Sequence, residues 1–213
     1  LADALHYTHR RGVLHRDVKP SNVLLEPVGE GSSSGGFGYI PRITDFGVAK
    51  LTVARGEETQ SGLLVGTPEY MAPEQAQGRH GAVGVATDVY ALGVTLYELL
   101  TGRPPFRGAA RLETLHQVVY EEPLPPRRRS PSVPRDLQAI CLKCLEKEPE
   151  KRYADAHKLA EDLGRFLNGK PTLARPSGWM GRLIKWVRRR PALAALLLVS
   201  ALVASIFFPR LFG

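Results

Sequence analysis

The chain has 213 residues, 43% of them hydrophobic, which is ample apolar material for one domain with appendages and excludes a chain too polar to close a core. The formal net charge is +8, yet residues 1–168 hold 21 Lys/Arg against 21 Asp/Glu, whereas residues 169–213 hold 8 basic residues and no acidic one. The excess therefore belongs to the tail, and a uniformly basic domain is excluded.

In chain order, Leu1 to His9 has apolar or aromatic residues at positions 1, 4, 5 and 7, the spacing of an amphipathic helix over residues 1–11. A polar loop follows, His15-Arg16-Asp17-Val18-Lys19-Pro20-Ser21-Asn22. Val23-Leu24-Leu25 and Arg42-Ile43-Thr44 read as two short strands around a Ser/Gly-rich insertion at Gly29–Gly38, whose composition suits a flexible hairpin connection. The insertion is no phosphate loop, because it lacks Gly at the sixth position of G-x-G-x-x-G.

Asp45-Phe46-Gly47 comes next. With Gly66-Thr67-Pro68-Glu69-Tyr70-Met71-Ala72-Pro73-Glu74 it brackets a segment of 30 residues. An apolar helix is expected over 87–101, opened by Asp88 and running through Tyr90, Leu92, Val94, Leu96, Leu99 and Leu100. Pro104-Pro105-Phe106 stops it. Helices are then expected over 111–119, 135–146 and 155–167, with a basic, proline-rich connector from Pro123 to Pro134. Pro149-Glu150-Lys151-Arg152 lies between the last two helices, and Asn168-Gly169-Lys170-Pro171 ends the final one.

The two cysteines, Cys141 and Cys144, have C-x-x-C spacing, but they fall three residues apart on one helix face. Two further ligands for zinc and a strand-to-helix turn for redox chemistry are both missing, so reduced, buried helix cysteines are expected. His6, His9, His80, His116 and His157 have no metal-ligand spacing and read as ordinary helix or loop residues.

These motifs, in this order over roughly residues 1–167, resemble the signatures of eukaryotic-type protein kinases. The whole pattern looks like a bacterial serine/threonine kinase. The resemblance implies an α+β, mainly α fold, the large (C-terminal) lobe of a kinase domain at residues 1–167. In such kinases the glycine-rich loop over ATP, the strand Lys and its Glu partner all precede the first helix seen here. The small lobe is therefore expected to be absent from these 213 residues, and the chain alone is expected to be inactive.

By the same resemblance, Asp17 would orient and deprotonate the substrate hydroxyl and Lys19 would steady the transferring phosphate. Asn22 and Asp45 would hold Mg2+ (or Mn2+), and Leu24 would form part of the floor under the adenine of ATP. Asp88 would brace the catalytic loop, Arg152 would meet Glu74, and His15 would pack against Phe46. Lys19 and Thr67 match serine/threonine rather than tyrosine kinases, with Val65-Gly66-Thr67 as a docking wall for the substrate peptide. Arg16 beside Asp17 marks kinases switched by phosphorylation of the activation segment, because a phosphate dianion can satisfy its guanidinium. Thr59 and Ser61 are the expected receivers; the plainer reading makes them loop hydroxyls. Implied partners are protein substrates with Ser/Thr acceptors and a second copy for trans-autophosphorylation.

Two other functions stay open on sequence. A pseudokinase or docking module would not need the small lobe, but it has no chemical reason to keep Asp17, Lys19, Asn22 and Asp45 together. A small-molecule kinase of the aminoglycoside type shares the loop and the metal Asp, but would not need Ala72-Pro73-Glu74.

In the tail, Lys170, Arg175, Arg182, Lys185, Arg188, Arg189 and Arg190 precede Ala192–Phe208, an apolar or small run of 17 residues broken only by Ser200 and Ser205. As a helix it would span about 25 Å, near the lower limit for a bilayer core. The basic flank on one side, with Trp179 and Trp186 within it, fits a cytoplasmic border. A basic linker at 168–190, a single transmembrane helix at 191–208 and a short tail at 209–213 are expected, with the kinase domain cytoplasmic at the cell membrane. Docking of this helix on protein or on a membrane surface is the alternative. Nucleic-acid binding is disfavoured by the position of the basic cluster.

Overall fold

Helices carry the architecture, and the longest among the described residues runs through its core. A computed structural model of the protein describes residues 1–28, 38–46 and 66–174. Helix α1 (Ala2–His9) buries Ala2 and Leu5 and gives way at Gly12, whose φ of +74° suits a residue without a Cβ. The polar loop leads through a short turn, Pro20–Asn22, into strand β1 (Val23–Pro27). It pairs antiparallel with β2 (Tyr39–Ile43), in a register running from Val23 opposite Ile43 to Pro27 opposite Tyr39. The hairpin is thus longer than the sequence suggests, because Glu26–Pro27 and Tyr39–Pro41 continue the pairing.

After a one-turn helix α2 (Pro73–Ala76) comes α3 (Val85–Thr101). It begins two residues before the expected position 87: Gly84 is the N-cap and donates its N–H to Thr87 Oγ1 at 3.0 Å. It ends at Gly102, in the left-handed region with φ +78°. Helix α4 (Arg111–Tyr120) follows, then α5 (Pro126–Arg129), a single turn inside the basic, proline-rich connector. Proline at its first position is preorganised for a helix start. Helices α6 (Arg135–Cys144) and α7 (Ala156–Leu167) are the last among the described residues, α7 being capped by Asp155, which accepts the Lys158 N–H at 2.8 Å.

The face of α3 that carries Val89 and Leu92 packs with Leu5, Val18, Ile140, Cys144, Tyr153 and Leu159 in one buried cluster. The face that carries Tyr90, Val94 and Tyr97 packs with Ala72, Cys141 and Leu145 in a second. Each fully buried side chain of this size contributes about 1.5–3 kcal/mol. Leu99, in the same apolar run, points outward and is 74% exposed. At Gly93 helices α3 and α6 nearly touch, since a Cβ there would lie 2.4 Å from Cys144 Cβ. Cys141 and Cys144 are free and buried, and burial pushes both thiols well above their ordinary range.

Past Gly169 (φ +63°) the chain turns back instead of leaving the domain. Asp162 of α7, completely buried, accepts the Tyr153 hydroxyl at 2.7 Å and the N–H groups of Leu173 and Ala174 at 2.6 and 2.9 Å. Residues 171–174, which the sequence assigns to a linker, thus belong physically to the fold. Among the described residues no helix is long and apolar enough to cross a membrane. Gly47, Thr59, Ser61, the remaining linker at 175–190, the apolar run at 191–208 and the tail at 209–213 lie outside the described residues.

Candidate active site

The site grows from one unfavourable backbone residue. Arg16 has φ +65°, a conformation that costs a residue with a Cβ about 1–3 kcal/mol and persists only where the surroundings hold it. Asp88, fully buried on α3, supplies that hold. Its Oδ1 accepts the Arg16 N–H at 2.7 Å and its Oδ2 accepts the His15 N–H at 2.8 Å. His9 on α1 donates Nε2–H to the same Oδ2 at 2.7 Å, so a histidine that reads as ordinary in sequence is the third donor to this carboxylate.

His15 transmits the order onward. Its Nε2–H donates to the Thr44 carbonyl at 2.9 Å, and its Nδ1 accepts the Asp17 N–H at 3.3 Å; these two partners assign the tautomer. The ring also packs against Phe46, centroid to centroid 4.7 Å. Thr44 N–H in turn bonds the Asn22 carbonyl at 2.9 Å, which brings the end of β2, and Asp45 beyond it, to the Asn22 end of the loop. Asp45 itself has φ +55°.

Asp17 sits inside this frame. Asn22 donates Nδ2–H bonds to the Asp17 carbonyl at 2.9 Å and to its Oδ2 at 3.2 Å. Lys19 Nζ lies 2.9 Å from the same Oδ2 and donates to Thr67 Oγ1 at 3.3 Å. A carboxylate, an ammonium, an amide and a hydroxyl therefore meet along one loop edge. Leu24 is two residues past Asn22 on β1, with its side chain largely exposed.

The far side of the site is anchored by Glu74 and Arg152. Arg152 donates Nη1–H to Glu74 Oε1 at 2.9 Å and Nη2–H to Oε2 at 2.8 Å. Thr87 donates its hydroxyl to Glu74 Oε1 at 2.8 Å. Burial alone would raise the Glu74 pKa, but the hydrogen bond and charge of Arg152 outweigh it and hold the carboxyl below its ordinary value. Arg111, the first residue of α4, donates to the Gly66 carbonyl at 2.9 Å beside Thr67.

A family model for the protein kinase domain matches residues 1–163. The chain belongs to the protein kinase family. Among protein kinases it is 40% identical over 169 residues to serine/threonine-protein kinase PknB of Mycobacterium tuberculosis, an alignment covering 79% of this chain and 25% of that protein. It is 46% identical over 167 residues to serine/threonine-protein kinase PkaA of Streptomyces coelicolor, covering 78% of this chain and 27% of that one. The chain thus spans about a quarter of the length of the curated relatives it matches.

Protein kinases in general use ATP and a divalent cation. Among the described residues no three His, Cys, Asp or Glu side chains gather to hold a metal. Asn22 turns its Nδ2–H groups to Asp17, so Oδ1 is the amide atom that could face a cation, and Asp45 could supply a carboxylate. In this kinase domain the sequence-predicted Arg16, Asp17, Lys19, Asn22, Thr67 and Asp88 come together, and Glu74 meets Arg152. His9, Thr87 and Gln75, which links Ala72 to the Arg16 carbonyl, escaped sequence reasoning.

Proposed function

We propose that the protein transfers the γ-phosphoryl group of ATP to Ser or Thr hydroxyls of protein substrates. The observation that carries this reading is the joint hold of Lys19 on Asp17 and Thr67, which ties the catalytic carboxylate to the peptide-docking wall. Asp17 accepts the hydroxyl proton as the oxygen attacks, and Lys19 turns from Asp17 to the charge on the moving phosphoryl group. Asn22 and Asp45 would hold a divalent cation, whose chemistry is to neutralise phosphate charge and align the γ-phosphoryl group. Most of the acceleration then comes from positioning and charge neutralisation.

The finer features belong to the same proposal. Phosphorylation of Thr59 or Ser61 would switch the site, with Arg16 receiving the phosphate. Dimerisation would serve trans-autophosphorylation. Residues 191–208 would anchor the protein as a single-pass membrane helix with the kinase domain in the cytoplasm, a reading supported by the basic flank and the apolar run.

The decisive measurement is phosphate incorporation into a Ser/Thr peptide by the full-length protein with magnesium and ATP. Asp17→Asn and Asp45→Asn should each lower the rate by about a hundredfold or more with folding intact. Activity within a few-fold of wild type in either variant overturns the assignment. A folded wild type that transfers no phosphate, yet binds a protein partner, would favour a docking module.

A further inference from the structure

We infer that Gln75 is a positioning residue for the catalytic carboxylate, acting through the peptide unit that joins Arg16 to Asp17. The inference rests on the kinase reading above. Gln75 is the third residue of the turn that Ala72 caps, and its Oε1 accepts the Ala72 N–H at 3.0 Å. Its Nε2 donates to the Arg16 carbonyl at 3.1 Å, 59 positions away in sequence. These two bonds orient the amide in one sense, since the oxygen must accept and the nitrogen must donate.

The placement matters because of which peptide plane is held. The Arg16 carbonyl and the Asp17 N–H belong to one planar unit. Gln75 grips its oxygen, and His15 Nδ1 grips its hydrogen at 3.3 Å. On the other side of Arg16, Asp88 fixes the N–H. The left-handed φ of Arg16 is thus set by Asp88, whereas the following plane, which aims the Asp17 side chain, is set by Gln75 and His15. Asn22 then holds the Asp17 carbonyl at 2.9 Å. Gln75 directly follows Glu74, which Arg152 fixes in place, so the Ala72-Pro73-Glu74 segment and the catalytic base are connected by one side chain. A loosened plane would let the Asp17 carboxylate drift from its productive angle, and errors of this kind are expressed in turnover rather than in affinity.

Two variants separate the two bonds. Gln75→Glu keeps the acceptor for Ala72 but sets a carboxylate against the Arg16 carbonyl, while Gln75→Ala removes both bonds. In the full-length protein, both should lower kcat by about tenfold or more while KM for ATP and peptide stays within about threefold. Gln75→Glu should melt close to wild type. A separate readout needs no activity: the carbon-13 shift of the Arg16 carbonyl should move upfield in both variants as its hydrogen bond is lost. A kcat within twofold of wild type in Gln75→Glu overturns the positioning role, and an unmoved carbonyl shift overturns the contact itself. A wild type without kinase activity overturns the kinase reading, and this role with it, whatever the carbonyl shift shows.

Discussion

Arg152 meets Glu74 across 78 positions of sequence with both ends of its guanidinium, at 2.9 and 2.8 Å, and neither side chain is more than 3% exposed. Its remaining N–H groups donate to the carbonyls of Glu146, Ala86 and Lys147, so all five donors are used. Removing one partner leaves the other charge buried and uncompensated. Arg152→Ala and Glu74→Ala should each cost about 3–5 kcal/mol, read from the urea midpoint. Arg152→Lys keeps the charge without the fork and should also be clearly destabilised.

The same pair sets a pH dependence. Glu74 has a folded pKa below its ordinary 4.5, so its contribution is fully present above that value and is lost as pH falls through the lower, folded value. Stability of wild type and of Glu74→Gln should therefore converge as the solution is acidified below about 4.5. A gap that stays constant down to pH 3, about one unit below the ordinary carboxylate range, would contradict the assignment.

Asp162 has two backbone amides and a tyrosine hydroxyl as partners. Asp162→Asn retains the volume but offers fewer acceptor sites, and should cost about 1–3 kcal/mol. Hydrogen exchange should show it locally, as faster exchange at Leu173 and Ala174 with little change in α3. Uniform acceleration across the domain would mean that the carboxylate supports the core at large.

Burial raises both cysteine thiols, so little thiolate exists at neutral pH. Alkylation of Cys141 and Cys144 by iodoacetamide should be negligible in the native protein and rapid in urea. Native labelling comparable with free cysteine would refute the packing of α3 on α6.

For the tail, the intact protein is expected to remain in the membrane pellet after carbonate washing. A variant ending at Ala174 should be soluble. Cutting at Gly169 instead would also remove two of the three partners of Asp162, confusing detachment with destabilisation. Extraction of the intact protein by carbonate would favour surface attachment.

The helices were legible because their apolar spacing and their Pro and Gly stops are local signals, and the site was legible because its residues cluster in short strings. What stayed hidden is non-local. His9 reads as one more helix histidine until Asp88, 79 positions on, is seen to accept its Nε2–H hydrogen bond. Gln75 has a role only because Arg16 adopts a left-handed conformation that no residue type announces. Asp162 looks like a surface charge on an amphipathic helix, yet its partners are amides in a stretch whose prolines and basic residues suggest a tether. Helix α3 starts two residues before the expected position 87, at a glycine N-cap whose own N–H is accepted by Thr87 Oγ1.

The hairpin has a practical corollary. Its strands close at Pro27 opposite Tyr39, and beyond that pair the Val28 N–H reaches the Gly38 carbonyl at 2.9 Å. Asp45 takes its place from the opposite end, where Val23 faces Ile43 and Thr44 bonds Asn22. The connection between residues 28 and 38 therefore joins the hairpin at the end remote from Asp45. Each doubling of such a connection adds only about 0.6 kcal/mol of closure entropy. An epitope or a fluorescent reporter spliced in there would enter at the end of the hairpin remote from Asp17 and Asp45.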